Sequence, residues 1–86
     1  MKLNGNFITH KTGDKYVMIC LDRKKFSGIV RLNETACFVV EQLKKDVSTE
    51  EILAAMKKEY EVDEETAERD IERVLNVLRE IGALDE

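Results

Sequence analysis

The 86-residue chain has no proline, a single histidine, two cysteines and only four glycines, and each scarcity closes off a kind of function. His10 stands alone at the end of a predicted exposed strand, so a metal site would have to rely on scattered carboxylates. Cys20 and Cys37 lack the C-x-x-C spacing of a redox or zinc pair and read as small buried hydrophobes. The one short glycine context, Thr12-Gly13-Asp14, has neither the spacing nor the lysine-hydroxyl ending of a phosphate loop. No apolar run approaches the ~18–20 residues of a membrane span. The start, Met1-Lys2-Leu3-Asn4-Gly5-Asn6, lacks the apolar stretch of a signal peptide, and the chain is read as cytoplasmic. With no repeat, low-complexity tract or linker, residues 1–86 are expected to form one domain with one core. A chain this short buries about 60–65% of its unfolded surface and leaves little room for a deep active site.

What is abundant is charge, and it is unevenly placed. Charged residues make up 37% of the chain, against a usual share of roughly a quarter. The first 32 residues carry Lys2, Lys11, Lys15, Arg23, Lys24, Lys25 and Arg31 against Asp14 and Asp22, a net of +5; the other 54 carry seven basic and sixteen acidic residues, a net of −9. The total of −4 gives no electrostatic reason to approach nucleic acid or anionic lipid, since phosphate binders draw most of their affinity from a basic surface. The carboxylates also lack a shared cleft that would push their pKa values toward a working pH. Glu50-Glu51 and Asp63-Glu64-Glu65 fall where helix N-termini favour anions. No catalytic residue, metal site or cofactor is therefore expected, and the useful question is what surface the chain offers.

Hydrophobic patterning predicts three strands followed by three helices. Asn6–Lys11 and Lys15–Asp22 flank a tight reversal at Thr12-Gly13-Asp14. The second of these is apolar on both alternating faces, which predicts a central strand covered on both sides. Asp22-Arg23-Lys24-Lys25 reads as a charged turn. Phe26–Leu32 is the third strand, with Phe26, Val30 and Leu32 on one side, Ser27, Ile29 and Arg31 on the other, and Gly28 permitting close approach of another backbone. Asn33 caps a helix from Glu34 to about Lys45, with Ala36, Cys37, Val40 and Leu43 as its stripe, widened by Phe38 and Val39. Ser48-Thr49-Glu50-Glu51 is a capping box for a helix to about Tyr60 that buries Ile52, Leu53, Met56 and Tyr60. Asp63 caps the longest helix, Glu64 to Ile81, which ends at Gly82.

That last helix carries more apolar surface than one neighbour requires. Ala67, Ile71, Leu75 and Leu78 make one face; Val74, Val77 and Ile81 extend it sideways, with Asp70 and Arg73 at the margin. Either both stripes are core, or the second lines a groove.

Several segments together resemble the PqqD-like family, the small proteins of pyrroloquinoline quinone biosynthesis and the related precursor-peptide recognition elements. They are Arg31-Leu32-Asn33-Glu34-Thr35-Ala36, Ser48-Thr49-Glu50-Glu51-Ile52, Glu59-Tyr60-Glu61-Val62, Asp70-Ile71 and Leu78-Arg79-Glu80-Ile81-Gly82-Ala83-Leu84. Relatives commonly place an aromatic, often Trp, near positions 38 and 39 and a glycine near position 46; here Phe38 and Asp46 stand there. The resemblance implies an α+β, winged helix-turn-helix-like domain that binds the leader segment of a ribosomally made precursor peptide. It implies strand addition to the third strand at Phe26, Gly28, Ile29, Val30 and Arg31, with a groove wall of Val74 and Val77 flanked by Asp70 and Arg73. Arg31 and the Arg23-Lys24-Lys25 turn would meet acidic leader residues. The chain would then present its peptide to a modifying enzyme, in many relatives a radical S-adenosylmethionine enzyme.

Two alternatives come from other classes. A winged helix can bind DNA, although Glu61, Asp63, Glu64 and Glu65 would set negative charge against phosphates. The same edge strand also permits pairing with a second copy of the chain, giving a homodimer or general self-association domain.

Overall fold

The computed structural model describes residues 1–22 and 28–86. A three-stranded antiparallel sheet, in spatial order β2-β3-β4, is built from β2 (Phe7–Thr12), β3 (Lys15–Cys20) and β4 (Ile29–Leu32). Three helices follow, α1 (Glu34–Gln42), α2 (Thr49–Glu59) and α3 (Glu64–Glu80). This is the predicted α+β arrangement. A pair that patterning missed, β1 (Lys2–Leu3) with β5 (Leu84–Asp85), joins the chain's two ends in antiparallel register. Two-residue strands carry no readable period. Their pairing rests on tertiary bonds: Leu3 N–H donates to the Leu43 carbonyl (2.8 Å) and Asn4 N–H to that of Ala83 (2.7 Å).

Register decides which side chains enter the core. Phe7 stands opposite Cys20, and Thr9, Met18 and Val30 share a row, so Phe7, Met18 and Cys20 are buried against the helices. The other face of β3, carrying Val17 and Ile19, is only half-buried, because the helices all lie on one side of the sheet. This corrects the expectation that β3 is covered on both faces. It is central, but it has one dry face.

Each helix starts where its cap was expected. Asn33 Oδ1 accepts from the Ala36 amide (2.7 Å), and Asp63 Oδ2 from that of Thr66 (3.4 Å). Ser48 and Glu51 exchange both bonds of the capping box. These contacts satisfy first-turn amides that have no partner within the helix. At its far end α1 stops at Gln42 rather than running to Lys45: the Lys44 and Lys45 N–H groups turn to the Glu41 and Gln42 carbonyls in tightened i→i−3 bonds, and the Leu43 carbonyl accepts from Leu3. α3 closes in a Schellman turn: Gly82 has φ of 71°, its N–H reaches the Arg79 carbonyl, and Ala83 N–H reaches that of Leu78 (2.8 Å). Ile52 and Met56 from α2, and Ala67, Ile71, Leu75 and Leu78 from α3, meet Val39 and Val40 of α1 and its C-cap Leu43 in the core. Cys20 is buried with them, whereas Cys37 is half-covered. Phe38 and Tyr60 meet edge to face at 5.5 Å, tying α1 to the end of α2.

Candidate functional site: an edge strand beside an apolar groove

Among the described residues β4 pairs only with β3, so its other side is a sheet edge. An edge strand turns unpaired N–H and C=O groups outward and can template another strand. Beside this edge lies a groove of about 160 Å³ lined by Val30, Leu32, Ala36, Val74, Val77 and Leu78, with Arg31, Asn33 and Arg73 at its rim. A cavity of roughly 150 Å³ suffices for a benzene ring, so the groove has room for about one ring-sized side chain. Leu78 is its buried floor; Val77, 41% exposed, is its open lip.

Local sequence shapes this opening. Asn33 ends β4 and caps α1 at once, which turns the chain sharply and sets Ala36 at the groove wall, where a short side chain leaves space. On α3, positions 74 and 78 are one helical turn apart and 77 lies beside them, so the second apolar stripe faces the strand rather than the other helices. Two exposed arginines flank the groove: Arg73 on α3, and Arg31, which lines it along the strand while its side chain leaves β4 on Ile29's face. The sheet's other edge, β2, has a different border: the depression there includes Lys2 and Lys44, the kind of charge that discourages strand pairing.

Cys37 and Glu41 line a separate depression beside β2 and β3. Burial pushes the Cys37 thiol up, with Glu41 adding to the effect, which favours the protonated, poorly nucleophilic form. Glu41 is held below the usual carboxylate range by its bonds to Lys44 and Thr9. No cluster of His, Cys, Asp and Glu among the described residues has the makings of a metal site. Among the described residues no helix is long and apolar enough to cross a membrane.

Residues 15–84 match the model of the family described as coenzyme PQQ synthesis protein D (PqqD). The chain belongs to the PqqD family. Two solved structures resemble it over nearly its whole length. "TbiB1 in Complex with the TbiA(beta) Leader Peptide" is 26% identical with a TM-score of 0.81, covering 99% of this chain and 95% of that one. "Lasso peptide synthetase B1 complexed with the leader peptide" is 27% identical with a TM-score of 0.76, covering 95% and 93%. Among curated proteins none matches significantly.

In this PqqD-family chain the residues singled out from sequence divide into groups. Val30, Arg31, Arg73, Val74 and Val77 come together at the groove. Asp70 lies one turn away on α3, half-buried, and does not line it. Ile29 belongs to the edge strand, but its side chain points to the opposite face of the sheet. Gly28 precedes the strand instead of interrupting it: its φ is 126°, and a Cβ there would meet nothing within 4 Å. The positive φ is a conformational reason for glycine here, and the space beside it is open. Phe26 and the Arg23-Lys24-Lys25 turn fall outside the described residues. The groove also takes in Leu32, Asn33, Ala36 and Leu78, which the sequence reads as strand, cap and apolar helix faces. The available signal was their position immediately around the strand-to-helix junction.

Proposed function

We propose that this chain is a non-catalytic binding module that captures the leader segment of a ribosomally made precursor peptide. The leader would lie along Ile29–Leu32 as a guest strand, set an apolar side chain against Val74 and Val77, and be presented to a separate modifying enzyme. The observation that carries this reading is the coincidence of an open edge with an apolar groove at the same strand. The leader-peptide complexes formed by its two structural relatives support it.

Magnitudes say which part of the site matters most. A four-residue edge points the polar groups of roughly every second residue outward, so a guest gains on the order of four main-chain hydrogen bonds. At about 0.5–1.5 kcal/mol each, these give roughly 2–6 kcal/mol. Association itself costs about 4–15 kcal/mol. Backbone pairing alone therefore sets direction and register, and the groove must supply the affinity. Arg31 and Arg73 at the rim favour leaders with carboxylates flanking the apolar anchor.

Tethering then does the rest. Holding the leader raises the local concentration of the linked core peptide at the enzyme into the millimolar range for short flexible tethers. The PqqD resemblance suggests a radical S-adenosylmethionine enzyme as the recipient, and the likeness to lasso peptide synthetase B1 suggests a lasso peptide synthetase; co-purification separates them. DNA binding has poor support, because Asp63, Glu64 and Glu65 form an exposed acidic start to α3.

The test is fluorescence anisotropy with leader peptides of precursors encoded near this chain, alongside amide exchange. Binding with new protection at residues 29–32 is expected. Binding that leaves those amides unprotected would overturn strand addition.

A further inference from the structure

The free edge of β4 presents its four residues unequally. In an antiparallel ladder, pairs that exchange main-chain bonds alternate with pairs that do not. The Leu21 N–H donates to the Asn6 carbonyl (2.6 Å) and Phe7 stands opposite Cys20, so the bonded pairs of β2 and β3 recur at Ile8–Ile19, His10–Val17 and Thr12–Lys15. The last of these closes a two-residue turn whose first residue, Gly13, has φ of 61°, as a tight hairpin requires. Tyr16 and Met18 therefore bond the other way, to Leu32 and Val30 on β4. Val30 and Leu32 use their main-chain groups within the sheet and line the groove with their side chains. Ile29 and Arg31 do the opposite: their N–H and C=O groups point out at the edge, and their side chains stand on the face away from the helices.

Whichever way a guest strand runs, its residue beside Arg31 lies between the two that face the groove beside Val30 and Leu32. We infer that this intervening leader residue is an aspartate or glutamate, read by Arg31 on the outer face; the inference rests on leader capture at this edge and assigns the place of the leader's acid. Arg31 is exposed, and its row, His10, Val17 and Arg31, holds no carboxylate. Asp14 shares a depression with it but sits in the turn beyond Lys15, and among the described residues no ion pair joins the two. The arginines away from the groove, Arg69 and Arg79, do hold carboxylates. Residues 23–27 contain no acid. The open place in Arg31's row is the one a guest strand fills. Opposite charges on facing positions stabilise paired strands, and a carboxylate on this face keeps its water, which the apolar groove would remove.

The test uses three synthetic peptides in a serine-threonine background, with affinity and amide exchange measured on isotope-labelled protein. One carries Phe-Glu-Val, the second Phe-Lys-Val, and the third Glu-Phe-Thr-Val, which keeps the acid on the same face of the strand but two residues along. The first is expected to bind about threefold more tightly than either of the others, the scale of an exposed opposite-charge pair across strands. Binding should newly protect the Ile29 and Arg31 amides. Arg31→Glu should reverse the order of the glutamate and lysine peptides, and Arg73→Glu, on the groove side, should weaken binding but keep that order. The inference is overturned if the acid can be moved along the strand without loss, if its advantage over lysine survives Arg31→Glu, or if Arg73→Glu abolishes that advantage. In each of these cases protection of Ile29 and Arg31 would still uphold strand capture, whereas no binding by any of the three peptides overturns both.

Discussion

Met18 and Val30 stand directly opposite each other on β3 and β4, yet Met18 is wholly buried and Val30 only half-covered. The helical cover of the sheet thus ends between two neighbouring strands. The groove is this boundary, and α3 forms its far bank.

Charging that bank should abolish capture without unfolding the chain. Val77→Asp places a carboxylate on a partly exposed lip, and Val74→Asp places one on the wall. Each is expected to weaken leader binding by at least about tenfold, with helical circular dichroism unchanged. Binding within threefold of the parent would remove α3 from the site.

The rim arginines should act through charge. Arg73→Glu is expected to weaken binding of an acidic leader more at low salt than at high, since exposed charges are screened within about 8–10 Å at physiological ionic strength. A salt-independent loss would mean that Arg73 acts through packing instead.

Leu78→Ala should behave differently from either. Leu78 is buried at the groove floor and in the core, so truncation should cost about 2–5 kcal/mol in a chemical denaturation series. A well-folded variant with intact stability would show that the core around α3 is not closed.

Gly28→Ala isolates a backbone effect. Nothing would clash with the new methyl, but φ of 126° is unfavourable for any residue with a Cβ. A loss of roughly 1–2 kcal/mol is expected, with no change in core packing by near-ultraviolet spectra. An unchanged midpoint would show that the entry to β4 readily adopts another conformation.

Asp63 predicts a pH dependence with a definite sign. Its carboxylate is held below its ordinary value by the side-chain and backbone bonds from Thr66. A depressed folded-state value means that the contribution to stability is present above the unfolded carboxylate pKa and is lost as pH falls through the folded one. Thermal midpoints should therefore drop on acidification through this range, and Asp63→Asn, which keeps an acceptor at the cap, should flatten that part of the slope.

Much of this was legible in the sequence because local chemistry and tertiary need agreed. Asn33, Ser48 and Asp63 announce helix starts through bonds made within a few residues, and Ala67, Ile71, Leu75 and Leu78 repeat at helical spacing on a face that is wholly buried. Val74 and Val77 lie outside that face, which left core and groove both open; only the family resemblance pointed to a groove, and both line one. What was not legible depends on partners remote in sequence. The pairing of Lys2–Leu3 with Leu84–Asp85 has no local signature, and neither has the docking of Leu3 on the Leu43 carbonyl just past α1. The apolar outer side of β3 misled for the same reason: alternation reports that both faces avoid water, not whether the same chain covers them.

The brevity of β4 has one more implication. An edge of four residues offers a visiting strand few backbone links, so how long such a strand stays is governed by what it sets in the groove beside it.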